Sequence, residues 1–157
     1  MVEYANTNGS ISEDRYALSG YAFFIHSGAV SWSTKRQEII SLLMTKSEYV
    51  AATYAAKEAL WLHSLISQIF DITLDTIILF LDNQSAIALT KNHQFHVCTK
   101  HIDICFHFIC WIIENGSLCL IYCPTNDMVA DALTKPYSHQ KLSILHENLV
   151  SSWFEGE

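Results

Sequence analysis

Positive charge is scarce in this chain. Nine lysines and arginines stand against sixteen acids, a formal net charge of −7. A nucleic-acid-binding domain normally carries a basic stripe. None is evident: Lys35, Arg36, Lys91, Lys100 and Lys135 are scattered and converge only if folding brings them together. Affinity for a phosphate backbone is therefore expected to be weak and strongly salt-dependent. Long apolar runs are also missing. None reaches the roughly 18 residues that a membrane-spanning helix needs. The opening MVEYANTNGS has neither a basic start nor an apolar signal core, so secretory targeting is not expected. The expected location is intracellular, cytoplasmic or nuclear. No internal repeat, low-complexity run or second domain interrupts the sequence.

A second zinc pair is absent too. Cys119-x3-Cys123 has zinc-like spacing. On a strand, however, both thiols share the side of Ile121, which fits a buried face better. His93, His96, His101 and His107, with Cys98 and Cys105 nearby, do not form the paired pattern of a structural zinc site. The five cysteines, the others being Cys110, Cys119 and Cys123, are odd in number. Free thiols are expected in a reducing compartment.

What is present suits one domain with a real core: 157 residues, half of them apolar. The chain turns on TIILFLDNQSAIAL, Thr76 to Leu89. An apolar strand, Ile77 to Leu81, ends on Asp82, and a short helix follows. In open α/β sheets chemistry gathers at the C-terminal strand ends, although Asp82 or Asn83 could equally cap that helix.

In order, Val2 to Asn8 reads as a strand. Tyr21 to Ile25 and Ala29 to Ser33 read as a hairpin through His26-Ser27-Gly28. Lys35 to Glu38 reads as a polar connection. Thr45-Lys46-Ser47-Glu48 matches a capping box and predicts a helix to about Phe70. Its buried stripe is expected from Tyr49, Ala52, Ala56, Ala59, Leu60 and Leu62 to Ile66. Asn92 to Cys98 reads as a His-rich loop. From Thr99 a second long helix carries Ile102, Phe106, Ile109 and Ile113, and Asn115-Gly116 ends it. A strand over Ser117 to Cys123 and a helix from Thr125 or Asn126 to Thr134 follow. A last helix spans Ser138 to Val150. Three strands in a meander, then strands alternating with helices, predict an α/β domain with a mixed sheet. The domain is expected over 1–137, with 138–157 as its C-terminal helix and tail.

The stretches SGYAFF, GAVSWSTKRQE, SEYVAATYAAKEALWL, DNQSAIALTKN, TKHIDICFHF and YCPTNDMVADALTKP stand in this order. Together they resemble the ribonuclease H domain of copia-type retrotransposon Pol polyproteins, over nearly the whole chain. The resemblance implies a ribonuclease H-like fold, a five-stranded mixed sheet flanked by helices. It implies endonucleolytic cleavage of RNA in RNA–DNA hybrids, with carboxylates holding two Mg²⁺ or Mn²⁺ ions. It also implies a reverse transcriptase part as partner, here expected to be missing ahead of the first strand, and no role for a membrane.

Carried over by position, the resemblance assigns metal-binding and catalytic roles to Glu48, Asp82 and Asp131. It assigns substrate contacts to Asn83, Gln84, Lys100 and Lys135. The simpler readings are that Glu48 closes the capping box, Asp82 caps and Asp131 lies on a solvated face. At the first strand the family pattern Asp-x-Asp is replaced by Asn6-Thr7-Asn8. An amide brings no negative charge, so the copy is expected to be inactive or impaired. Lys46 stands where relatives usually have Glu, and Cys98, Cys105 and Cys110 where they usually have Arg. Single C-to-T or G-to-A transitions account for these changes and for both Asn, a pattern implying a degenerate element. The alternatives are a non-catalytic remnant that binds nucleic acid or protein, and a hydrolase with residual Mn²⁺-dependent activity.

Overall fold

The computed structural model describes residues 2–8, 16–25, 28–37, 44–90, 100–135 and 143. Five strands form one sheet: β1 (Val2–Asn8), β2 (Leu18–Ile25), β3 (Gly28–Arg36), β4 (Ile77–Leu81) and β5 (Leu118–Tyr122). Their spatial order is β3-β2-β1-β4-β5. β2 pairs antiparallel with both β1 and β3, while β4 runs parallel to β1 and to β5. The expected α/β architecture, a meander followed by parallel strands, is therefore the observed one.

Parallel neighbours end at the same edge. Tyr4 pairs with Phe80 across β1 and β4, and continuing that register sets Asn6 level with Asp82. Chain crossover thus brings together two residues 76 positions apart in sequence.

The long helix α1 (Met44–Phe70) lies on one face of the sheet. Ala52, Ala55, Ala56 and Ala59 are fully buried there, against Ala5, Phe23, Leu79 and Leu81. Small side chains let the helix approach the strands closely. α3 (Lys100–Glu114) packs against α1 through Ile109 and Ile112. A smaller cluster of Cys123, Met128 and Ala130 packs with Tyr4 and Phe80, whose rings stack at 5.3 Å.

Several local expectations change. β2 and β3 are longer than their apolar cores, so Lys35 and Arg36 sit in β3 rather than in a connection. Backbone pairing along β2, not side-chain polarity, sets the strand end: Leu18 pairs with Arg36. On α1, Val50, Ala51 and Ala55 join the buried face, whereas Ser64 and Leu65 are exposed. The helix outruns the sheet there, so its apolar residues lose their cover. Cys119 and Ile121 are exposed and Cys123 is buried beyond the strand end, so the three do not share a buried face.

The segment after Pro124 is a turn and then a 3₁₀ helix, Val129–Leu133, rather than an α-helix through Thr134. Gly116 does adopt the left-handed conformation that ends α3, at φ +72°. Among the described residues no helix is long and apolar enough to cross a membrane. The His-rich loop and the helix expected over 138–150 lie outside the described residues, Ser143 excepted.

Candidate functional site

Asn6 lies two residues before the end of β1, β4 ends just before Asp82, Glu48 lies four residues into α1, and the 3₁₀ helix carries Asp131. These four residues meet at one corner of the sheet. Asn6 and Asp131 are each 1% exposed and Glu48 4%. A solvated-face role for Asp131 is therefore overturned: the tight 3₁₀ turn points it inward instead of along an α-helical surface.

Helix α1 already includes Met44, so Thr45 lies within its first turn and not at the N-cap. The Glu48 carboxylate accepts a hydrogen bond from the backbone N–H of Thr7 on β1. It is tied to the sheet end rather than to its own helix. Asp82 is not the cap of α2 (Gln84–Thr90) either. Asn83 fills that role, its Oδ1 accepting from the Ala86 N–H at 3.0 Å. Asp82 Oδ2 instead accepts from Thr125 Oγ1 at 3.3 Å. Glu48, Asp82, Asn83, Gln84, Ser85 and Tyr122 line an open depression of about 390 Å³.

Asp131 is held from two sides. Asn6 Nδ2 donates to its Oδ1 at 2.5 Å, and Lys135 Nζ lies 2.6 Å from the same oxygen. The backbone N–H groups of Thr134 and Lys135 both reach the Asp131 carbonyl. The 3₁₀ segment is docked onto the meander as well, Thr34 Oγ1 donating to the Leu133 carbonyl at 3.0 Å.

Gly20 of β2 makes that docking possible. A Cβ there would come within 2.8 Å of Thr134 Cγ2 and 3.0 Å of Leu133 Cβ. Gly20→Ala is expected to push the Asp131 segment off the sheet and cost about 1–3 kcal/mol. Urea unfolding measures this, and an unchanged midpoint would show that the contact yields without strain.

The corner is electrostatically crowded. Burial, then the Asp82 charge, pushes the Glu48 carboxyl up to about 9. Burial and Asp131 raise Asp82, against the pull of Lys135. Two buried oxygens here, Glu48 Oε2 and Asn6 Oδ1, have no hydrogen-bond partner among the described residues. Such orphans suit a hard, oxygen-seeking cation. On the Asp131 side the fit is poorer, because Asn6 and Lys135 already occupy Oδ1. Among the described residues, no three His, Cys, Asp or Glu side chains come together closely enough to hold a metal. The donors present fit one cation between Glu48 and Asp82, not a pair bridged through the first strand.

The substrate residues divide. Asn83 and Gln84 line the depression, while Lys135 turns onto Asp131. Lys100 opens α3, and its side chain lies outside the described residues. Sequence reasoning missed the Lys135–Asp131 contact. Its signal was the i, i+4 spacing.

Five strands in the order 3-2-1-4-5, with acids at the ends of β4 and on α1, define a ribonuclease H-like α/β domain. The solved structures agree. LC11-RNase H1, isolated from compost, matches at TM-score 0.58 and 16% identity, over 84% of this chain and 90% of that one. A crystal structure of LC11-RNase H1 in complex with RNA/DNA hybrid matches at TM-score 0.56 and 14% identity, over 84% and 91%.

The sequence relatives are more particular: the chain is a homologue of a segment of retrovirus-related Pol polyproteins from transposons. The polyprotein of transposon TNT 1-94 of Nicotiana tabacum is 36% identical over 86% of the chain. That of transposon RE1 of Arabidopsis thaliana is 31% identical over 86%. The chain spans about a tenth of their length, 10% and 9% respectively. No family model matches it.

Proposed function

We infer that this chain is the ribonuclease H-like domain of a copia-type retrotransposon Pol polyprotein. Its ancestral reaction is endonucleolytic hydrolysis of the RNA strand of an RNA–DNA hybrid, and this copy has lost most or all of that activity. The observation that carries the reading is Asn6. It stands near the end of β1 where the family pattern has an acid, and it spends its amide N–H on Asp131.

Divalent metals, Mg²⁺ or Mn²⁺, supply such a reaction with an activated water and a stabilised leaving oxygen. Glu48 and Asp82 would hold one such ion, with the Asn6 oxygen as a neutral third donor. Asn83 and Gln84, on the rim, would meet the substrate, and Lys100 would meet its phosphates. The hybrid bound in the LC11-RNase H1 crystal supports this substrate class. The reverse transcriptase part of a polyprotein is the partner that would help grip it.

Cleavage of a labelled RNA–DNA hybrid by the native chain and by Asn6→Asp, in Mg²⁺ and in Mn²⁺, tests the reading. The variant is expected to cut, and the native chain to cut at least a hundredfold more slowly, as for loss of one strong stabilising group (~10²–10³). Native cleavage at the variant's rate would remove the claim of impairment. A folded variant that binds hybrid without cutting it would favour a binding remnant.

A further inference from the structure

We propose that Lys135 is a built-in counter-ion for the acid corner, whose ammonium keeps divalent cations off the Asp131 side. The proposal rests on reading the corner as a former metal site, and it names what now occupies half of it. Lys135 Nζ sits 2.6 Å from Asp131 Oδ1. Asn6 Nδ2 donates to that same oxygen. A carboxylate oxygen offers about two lone-pair directions, so Oδ1 has none left for a metal.

The geometry is fixed by the backbone. The N–H of Lys135 bonds the Asp131 carbonyl at 3.0 Å, which brings the side chain back over its own turn. Asp131 is 1% exposed and the Lys135 side chain 34%. The ammonium therefore reaches inward from the surface to a buried charge that needs a partner.

Its charge also acts on the neighbouring Glu48 and Asp82 of the same corner. One positive charge thus serves three carboxylates. An arriving dication must displace it or endure its repulsion. The consequence is a corner that stays ordered without metal. The native sequence gains folding independence and loses metal affinity through the same contact.

Mn²⁺ titration followed by electron paramagnetic resonance tests this on the native chain, Lys135→Met and Lys135→Arg. Methionine keeps the stem and deletes the charge. The Met variant is expected to bind Mn²⁺ about tenfold tighter or more, and its Tm to rise with added Mn²⁺. The Arg variant is expected to stay near the native affinity. A folded Met variant that binds Mn²⁺ no tighter than the native chain overturns the proposal.

Should the Met variant fail to fold, the ammonium ¹H–¹⁵N resonance of Lys135 in the native chain decides. A slowly exchanging, hydrogen-bonded signal is expected, and a solvent-like one overturns the assignment. Neither readout depends on hybrid cleavage. Loss of the ribonuclease reading would appear in the Asn6→Asp assay alone.

Discussion

Replacing Glu3 with leucine is expected to stabilise the protein by about 4 kcal/mol at pH 8. Glu3 lies in the middle of the sheet, between Phe23 of β2 and Leu79 of β4, both fully buried. It is 1% exposed, and its Oε2 has no hydrogen-bond partner among the described residues. Burial pushes its carboxyl up to about 8, from an ordinary 4.5.

Because the folded pKa lies above the unfolded one, the folded state holds the proton over that interval. Stability then falls as pH rises from about 4.5 and levels off above 8. Glu48, raised to about 9, adds a second decline over 4.5 to 9. Together the two groups consume a large share of the 5–15 kcal/mol that a domain typically has.

The native chain is accordingly expected to be much more stable at pH 5 than at pH 8. The leucine variant should lose the Glu3 part of that difference and keep the Glu48 part. Urea midpoints at the two pH values measure both. A leucine variant with the same pH 5 to pH 8 difference in midpoint as the native chain would mean that Glu3 escapes to water.

Asn6→Asp is expected to restore metal dependence at a cost to metal-free stability. In the native chain the Asn6 amide donates to Asp131. A carboxylate there has no proton to donate and places a second negative charge against a buried one. Breaking a buried pair in this way costs about 3–5 kcal/mol. At about 2–4 °C per kcal/mol for a chain near this size, the Tm in EDTA should fall by roughly 6–20 °C. Divalent metal should recover much of that loss, because it binds the folded state alone. Scanning calorimetry in EDTA and in Mn²⁺ reads both effects. A variant as stable as the native chain in EDTA would show that Asn6 and Asp131 are not in contact in solution.

The sequence by itself determined the sheet and the long helices. The apolar run Ile77 to Leu81, the alanine spacing on α1 and the Asn115-Gly116 stop are local signals, and local signals survive folding unchanged. The positions of Glu48, Asp82 and Asp131 were legible because each sits at a recognisable point of a motif. The Asn6 departure was legible because it changes charge.

What those side chains touch was decided only in three dimensions. Thr45 and Glu48 have capping-box spacing, yet the helix starts before Thr45 and Glu48 bonds Thr7 on a distant strand. A solvated face was the simpler reading of Asp131, but a 3₁₀ turn packed on Gly20 buries it. The resemblance gives Lys135 a substrate contact, and the fold closes it on Asp131. Glu3 carries no local warning at all, since a central position in the sheet follows from the crossover that puts β4 beside β1. Periodicity reports which face a residue takes along its own element. Which charges share a corner depends on contacts between residues as many as 125 positions apart, as Asn6 and Asp131 are.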